Sequence, residues 1–317
     1  LTPYPRSFGQ LLGAIIRLYG KHLGIWLVLA FVVALLPRLI TNALQLALEM
    51  QRGLDPLAGR DVLGDLLNTS GVTTSTPNGA EPPLYTLLTS LISMFELVLG
   101  AWTLAALTAG SRDAILGRRV TIKTSVVGGF QRLWKTLGAT LLVILLLLGV
   151  SLIALVVAFV IDLLFTIVAL PLAGPAAASG TEPTPFRIGL AACAMDIAFL
   201  PVLALAVRLA LAPSLAALGY EDPVRRSLLL TRRQWWRTFG VLLVANVPAL
   251  LLGLGMLAAE YMSAGLALIV VGPLVQLLAA PLTALAYTAL IYDLRLRREG
   301  YLVFMQEHLT PPPPETA

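Results

Sequence analysis

Five charged residues sit inside long apolar stretches of this chain: Arg38, Glu96, Asp162, Asp196 and Arg208. Placing a charge near the middle of a hydrocarbon layer costs about 3 kcal/mol even on a lenient insertion scale, so such residues are the first places to look for chemistry. Arg38 lies fourteen residues beyond Gly24, Glu96 fourteen before Gly110, and Asp196 sixteen before Ala212. Counted from those basic ends at about 1.5 Å per residue, all three fall about 21 to 24 Å deep. Arg38, Glu96 and Asp196 are therefore able to meet, either as a polar site or ion path between helices or as an ion pair that locks helices together. Asp162 is expected near the far interface, and Arg208 close enough to its basic end for its guanidinium to reach water.

The remaining inventory is poor in reactive groups. His22 and His308 are the two histidines; no His-Glu metal spacing, Gly-rich phosphate loop or Gly-x-Ser-x-Gly elbow occurs. No catalytic, cofactor or metal site is expected, and the chain does not read as an enzyme. Cys193, alone in an apolar run, cannot close an internal disulfide and reads as a small buried hydrophobe.

Hydrophobic residues make up 58% of the 317 positions and charged ones 12%, against about 25% charged in an ordinary soluble domain. Six runs are long enough to cross a hydrocarbon core, which takes about 20 apolar residues. They are Leu23 to Leu46, Leu84 to Ala109, Leu137 to Leu170, Ile188 to Ala212, Phe239 to Ala259 and Ala264 to Tyr292. Without strand alternation, backbone in lipid must be helical, so the fold class is all-α, a six-span polytopic membrane protein. The third run is long enough to require tilt, a kink or projection beyond the bilayer.

Most of the Lys and Arg residues flank one set of span ends: residues 6 to 21, 112 to 135, 225 to 237 and 295 to 298. The other side carries the acidic loop Glu49 to Pro83 and the Ala, Pro and Gly-rich segment Pro171 to Pro185. The basic side is expected to be cytoplasmic, with both chain ends on it. That bias accounts for the net charge of +5 without a nucleic-acid partner. A cleaved secretory leader is not expected either, since the first apolar run is too long and lacks a small-residue cleavage site.

Three segments repeat one pattern at the entrance to an apolar run: Arg17 to Gly24, Gln131 to Gly138 and Arg233 to Gly240. Lys21 to Lys135 is 114 positions and Lys135 to Arg237 another 102; the same offsets superpose Leu23, Leu137 and Phe239, then the three glycines. Repeats are placed at 7–110, 121–220 and 223–300, with a partly disordered tail at 301–317, Pro311 to Pro314 within it. Each repeat starts with an amphipathic stretch. Phe8, Leu11, Leu12, Ile15 and Tyr19 recur at helical spacing in the first, Ile122, Val126, Phe130 and Leu133 in the second, and Val224, Leu228 and Trp235 in the third.

Arg17, Lys21, Arg132, Trp134, Lys135, Arg233, Trp235, Trp236 and Arg237 read as basic and aromatic anchors to an interface with anionic headgroups. The glycine after each is the expected bend from interfacial helix to span. Two spans per unit make the copies parallel, unlike the inverted repeats of many transporters. Pro37, Pro201 and Pro281 interrupt spans and are expected to kink them.

Four segments carry a resemblance: Phe8 to Leu23, Gly117 to Thr136, Val207 to Pro213 with Gly219 to Pro223, and Tyr292 to Gly300. In these the chain resembles bacterial six-span proteins of the glycerophosphoryl diester phosphodiesterase membrane-domain family. The resemblance implies a bacterial cytoplasmic-membrane location and the same six-helix fold, with hydrolysis belonging to a separate soluble domain. It carries no catalytic or binding residue over to this chain. Two functional expectations stand beside the scaffold or accessory-subunit reading, in which spans pack against other membrane subunits. One is a transporter or channel for a small solute or lipid through Arg38, Glu96 and Asp196; the other is a lipid-interacting membrane organiser.

Overall fold

A computed structural model describes residues 7–41, 44, 83–172, 198–262 and 265–299. All regular structure among them is helical. The chain enters at α1, Phe8–Lys21, through a reciprocal cap. The Gln10 amide N–H donates to the Ser7 hydroxyl at 3.3 Å and the Ser7 N–H to the Gln10 side chain at 3.0 Å, which satisfies two donors that a helix start otherwise leaves unpaired. Helix α2, Leu23–Ala30, leads into a π-helical turn at Phe31–Leu35. Then come α3, Pro83–Ile115; α4, Ile122–Gln131; α5, Leu133–Leu172; α6, residues 198–209; α7, Ala212–Ala217; α8, Pro223–Thr231; α9, Trp235–Met262; and α10, Gly265–Glu299.

Five helices among the described residues are long and apolar enough to cross a membrane: Leu23–Thr41, Thr86–Ile115, Leu133–Ile161, Ala198–Ala217 and Leu277–Glu299. The stretch read as a fifth span, Phe239 to Ala259, falls on α9, which is helical throughout, although side chains beyond residue 251 lie outside the described residues. The loop at 49–82, the segment at 173–185 and the tail at 301–317 also lie outside them, as does Cys193.

Helix α10 is the centre of the assembly: 67% of its apolar window is buried, against 11% for α5, which stands at the periphery with most of its leucines exposed. Leu285, Leu290, Ile291 and Leu294 of α10 share one core with Trp26 and Leu29 of α2, Leu107 of α3, Leu211 just before α7, Leu215 within it and Val241 of α9. Where two helices approach closely, small residues make room. Gly129 of α4 lies so near α3 that a methyl group there would stand 2.7 Å from the Ala106 backbone.

In all three repeated segments a short helix, a break and a long helix follow in order, but the breaks fall at His22, at Arg132 and at 232–234. Gly24, Gly138 and Gly240, the expected bends, all lie inside the long helices. The reason is local. The amide of His22 turns back to the Tyr19 carbonyl at 3.2 Å and that of Arg132 to the Gly129 carbonyl at 3.3 Å, tight closures that end each short helix before the glycine is reached. Lys21 consequently precedes its break whereas Lys135 and Arg237 follow theirs. The apolar face of α1 also differs from the expectation of a helix facing lipid, because Leu11, Ala14 and Ile15 are buried against protein, mostly α10.

Pro37 leaves a carbonyl that another helix takes up. A proline deprives the carbonyl four residues back of its donor and pushes the neighbouring turn open. Pro37 frees the Val33 carbonyl, which accepts a hydrogen bond from the Thr103 hydroxyl of α3, and the backbone just before it relaxes into the π turn, with the Leu36 N–H donating to the Phe31 carbonyl. Two further hydroxyls bind carbonyls three residues before a proline, Thr283 at Ala245 ahead of Pro248 and Tyr19 at Leu278 ahead of Pro281, each at 3.1 Å, so hydroxyl-to-carbonyl bonds join neighbouring helices at these points.

Replacing Gly129 by Ala sets two effects against each other. Helix propensity favours Ala by about 1 kcal/mol, while a methyl against backbone that cannot yield costs about 1 to 3 kcal/mol. Gly129→Ala is expected to lower the melting temperature in mild detergent, and Gly138→Ala, where the added methyl meets open space, to leave it unchanged or raise it.

Candidate functional site

The last two turns of α10 read Tyr292-Asp-Leu-Arg-Leu-Arg-Arg-Glu299. Helical geometry puts residues four apart on one face, so Asp293 meets Arg297 and Arg295 meets Glu299. Asp293, 4% exposed, accepts from the Arg297 Nε at 3.0 Å and pairs with the Arg237 guanidinium of α9 at 2.9 Å. Glu299 accepts from Arg295 through Nε at 2.8 Å, with a second guanidinium nitrogen at 2.7 Å, and from Arg226 of α8 at 3.0 Å. Two carboxylates thereby tie the start of α9 and the body of α8 to one helix.

Tyr220 completes the arrangement. Its ring has the Arg226 guanidinium 4.5 Å from its centre and that of Arg295 at 4.8 Å, and its hydroxyl accepts from Arg295. The turn after α7 holds the ring there: the Tyr220 amide returns to the Leu215 carbonyl and the Gly219 amide to Ala216, a helix stop that requires positive φ at Gly219, where it is 91°. Arg132, at the break between α4 and α5, donates to the Ala217 carbonyl at 2.8 Å and so caps the same stop with a positive charge. Burial, and secondarily the neighbouring Arg112, push the Arg132 guanidinium below its ordinary pKa.

Chemically this cluster is a fastening. Each carboxylate is taken up by guanidiniums, and arginine does not give up protons near neutrality. Desolvation of Asp293 and Arg295, each less than 5% exposed, is offset only because every charge has an opposite neighbour at hydrogen-bond distance. Among the described residues no group of three or more His, Cys, Asp or Glu side chains comes together as metal ligands.

Of the charges inside spans, Arg38 and Glu96 are half-buried and within electrostatic reach of each other; Asp196 and the side chain of Asp162 lie outside the described residues, and Arg208 is exposed. Of the interfacial anchors, Arg17, Lys21, Trp134, Lys135, Arg233 and Trp236 are exposed. Arg132 and Arg237 instead turn inward to the cluster. Trp235 is half-buried, stacked on Phe239 at 5.2 Å with its indole N–H donating to the Ala204 carbonyl. In the sequence, the two spacings of four at the end of an apolar helix, Asp293 to Arg297 and Arg295 to Glu299, are the signal that marks the carboxylates of this cluster, while nothing local marks Tyr220.

Compared with protein-family models, with curated proteins and with solved structures, the chain matches none.

Removing the buried Asp293 carboxylate takes an opposite charge away from the half-buried Arg237 guanidinium. Asp293→Asn is expected to destabilise the protein by about 3 kcal/mol, and a double variant, Asp293→Leu with Arg237→Met, to recover most of that loss. Thermal unfolding in detergent measures both; equal losses in the single and double variants would show that the loss does not come from an uncompensated Arg237 charge.

Proposed function

We propose that the chain is a non-enzymatic integral membrane protein of the bacterial cytoplasmic membrane, acting as a scaffold or accessory subunit. In this reading six spans form three parallel units, both chain ends are cytoplasmic, and the relationship is to the phosphodiesterase membrane-domain proteins without a catalytic domain. The observation that carries it is how the two kinds of surface are divided. Asp293 and Glu299 at the basic end are bound to arginines of other helices, while α5 presents exposed Leu145, Leu148, Leu152 and Ile153 on its outer faces. An apolar helix with so little contact to its own chain has surface available to other helices in the bilayer.

The test is a photo-crosslinking residue placed at Leu148 or Leu152 in native membranes, followed by size measurement in mild detergent. A single defined second membrane protein on the gel and a particle larger than the monomer are expected. Only lipid adducts together with a monomeric particle would contradict the scaffold reading.

A transporter is the second reading, favoured by one observation: Arg38 and Glu96 bring opposite charges within reach in apolar surroundings. Under it, Glu96→Gln in reconstituted vesicles abolishes solute flux. If the variant transports as the parent does, Glu96 has no part in a permeation path.

A further inference from the structure

Helix α8 changes character in a fixed order along its length. Glu221 and Asp222 stand at its start, Arg225 one turn on, and Leu229 one turn further. Arg225 and Leu229, four residues apart, lie along one side of the helix, and Asp222 stands just before its first turn. The last turn of α10 runs beside that side and contributes Arg298, and an open groove of about 460 Å³ lies between them. That volume suits one small ligand or one lipid headgroup.

The charges around the groove separate into two groups. Arg226 and Glu299 hold each other and the rest of the ion cluster. Arg225, Arg298, Glu221 and Asp222 are exposed, and none of the ion pairs or hydrogen bonds among the described residues occupies their side chains. Two such guanidiniums facing one space match the oxygens of a phosphate. Two carboxylates beside them match an ammonium that can donate hydrogen bonds. The rise of the helix sets the separation from Arg225 to Leu229 at about 6 Å, and the acidic pair lies just before the first turn.

We propose that this groove binds the headgroup of a zwitterionic, ethanolamine-type phospholipid. The primary ammonium meets Glu221 and Asp222, the phosphodiester lies between Arg225 and Arg298, and the first carbons of an acyl chain run onto Leu229. The order of groups along α8 is the order of groups in the lipid. A purely anionic glycerol headgroup would set its hydroxyls against two carboxylates with no cation to neutralise them. A choline headgroup carries its charge under methyl groups that cannot donate to carboxylates. The inference rests on the reading of the chain as a membrane protein with its basic end at the bilayer surface.

The test uses the full-length protein, delipidated in detergent, with native mass spectrometry after titration with short-chain ethanolamine, glycerol or choline phospholipids, and with free phosphoethanolamine or inorganic phosphate as competitors. Ethanolamine lipid is expected to bind at least about tenfold more tightly than the other two. Arg225→Gln with Arg298→Gln should abolish its binding, and Glu221→Gln with Asp222→Asn should erase its preference over choline lipid while leaving the phosphate held. All four side chains are exposed, and Asn tolerates the left-handed backbone at Asp222, where φ is 48°, so these variants should melt as the parent does. Equal binding of all three lipids, or competition by free phosphoethanolamine at the lipid's own concentration, would overturn the proposal. Extraction of the chain from membranes by alkaline carbonate alone would instead overturn the membrane reading, a separate outcome from failed headgroup selectivity in a chain that stays inserted.

Discussion

Two carboxylates near the end of α10 hold the basic end of this protein together. Asp293 and Glu299 together take up Arg237 of α9, Arg226 of α8 and two arginines of their own helix. Through Tyr220, braced by the same guanidiniums, the turn after α7 joins them, and Arg132 brings in the junction of α4 and α5. The helices meet there because the buried Asp293 and Arg295 need opposite charges at hydrogen-bond distance. Mutual pairing is the arrangement that keeps them off the apolar interior at tolerable cost. The leftover positive charge then stays at that end, where a positive-inside bias would place it.

Farther from the charges the helices are joined by backbone chemistry. Apolar surface gives little reason for one helix to prefer another over lipid, so contacts depend on close packing and on polar groups that need a partner. Gly129 against Ala106 supplies the first kind. Hydroxyls from Thr103, Thr283 and Tyr19 at carbonyls next to Pro37, Pro248 and Pro281 supply the second. At Pro37 the joint is made by the carbonyl that the proline itself leaves without a donor.

Much of the architecture was legible in the residues. Helical class, the apolar segments and the amphipathic α1 with its Ser7 and Gln10 cap follow from periodicity and spacing, and these depend on near neighbours. Direction was not legible. Arg132 and Arg237 have the same surroundings in sequence as Lys135 and Arg233, yet the first two face Ala217 and Asp293 and the others face outward. An amphipathic stripe reports that one face avoids water and is silent on whether lipid or another helix covers it, which is why α1 packs on α10. The breaks moved from the glycines to His22 and Arg132 because closure of the short helix, and not freedom at glycine, decides where it stops.

The gathering of these basic segments on one face is tested most directly by labelling from one side of sealed membrane vesicles. Single cysteines at Lys21, Lys135, Arg233 and Arg298, introduced after Cys193→Ser, would be exposed to a membrane-impermeant maleimide. All four are expected to react from the same side and to be protected from the other. Reaction of any one of them from the opposite face would contradict the account.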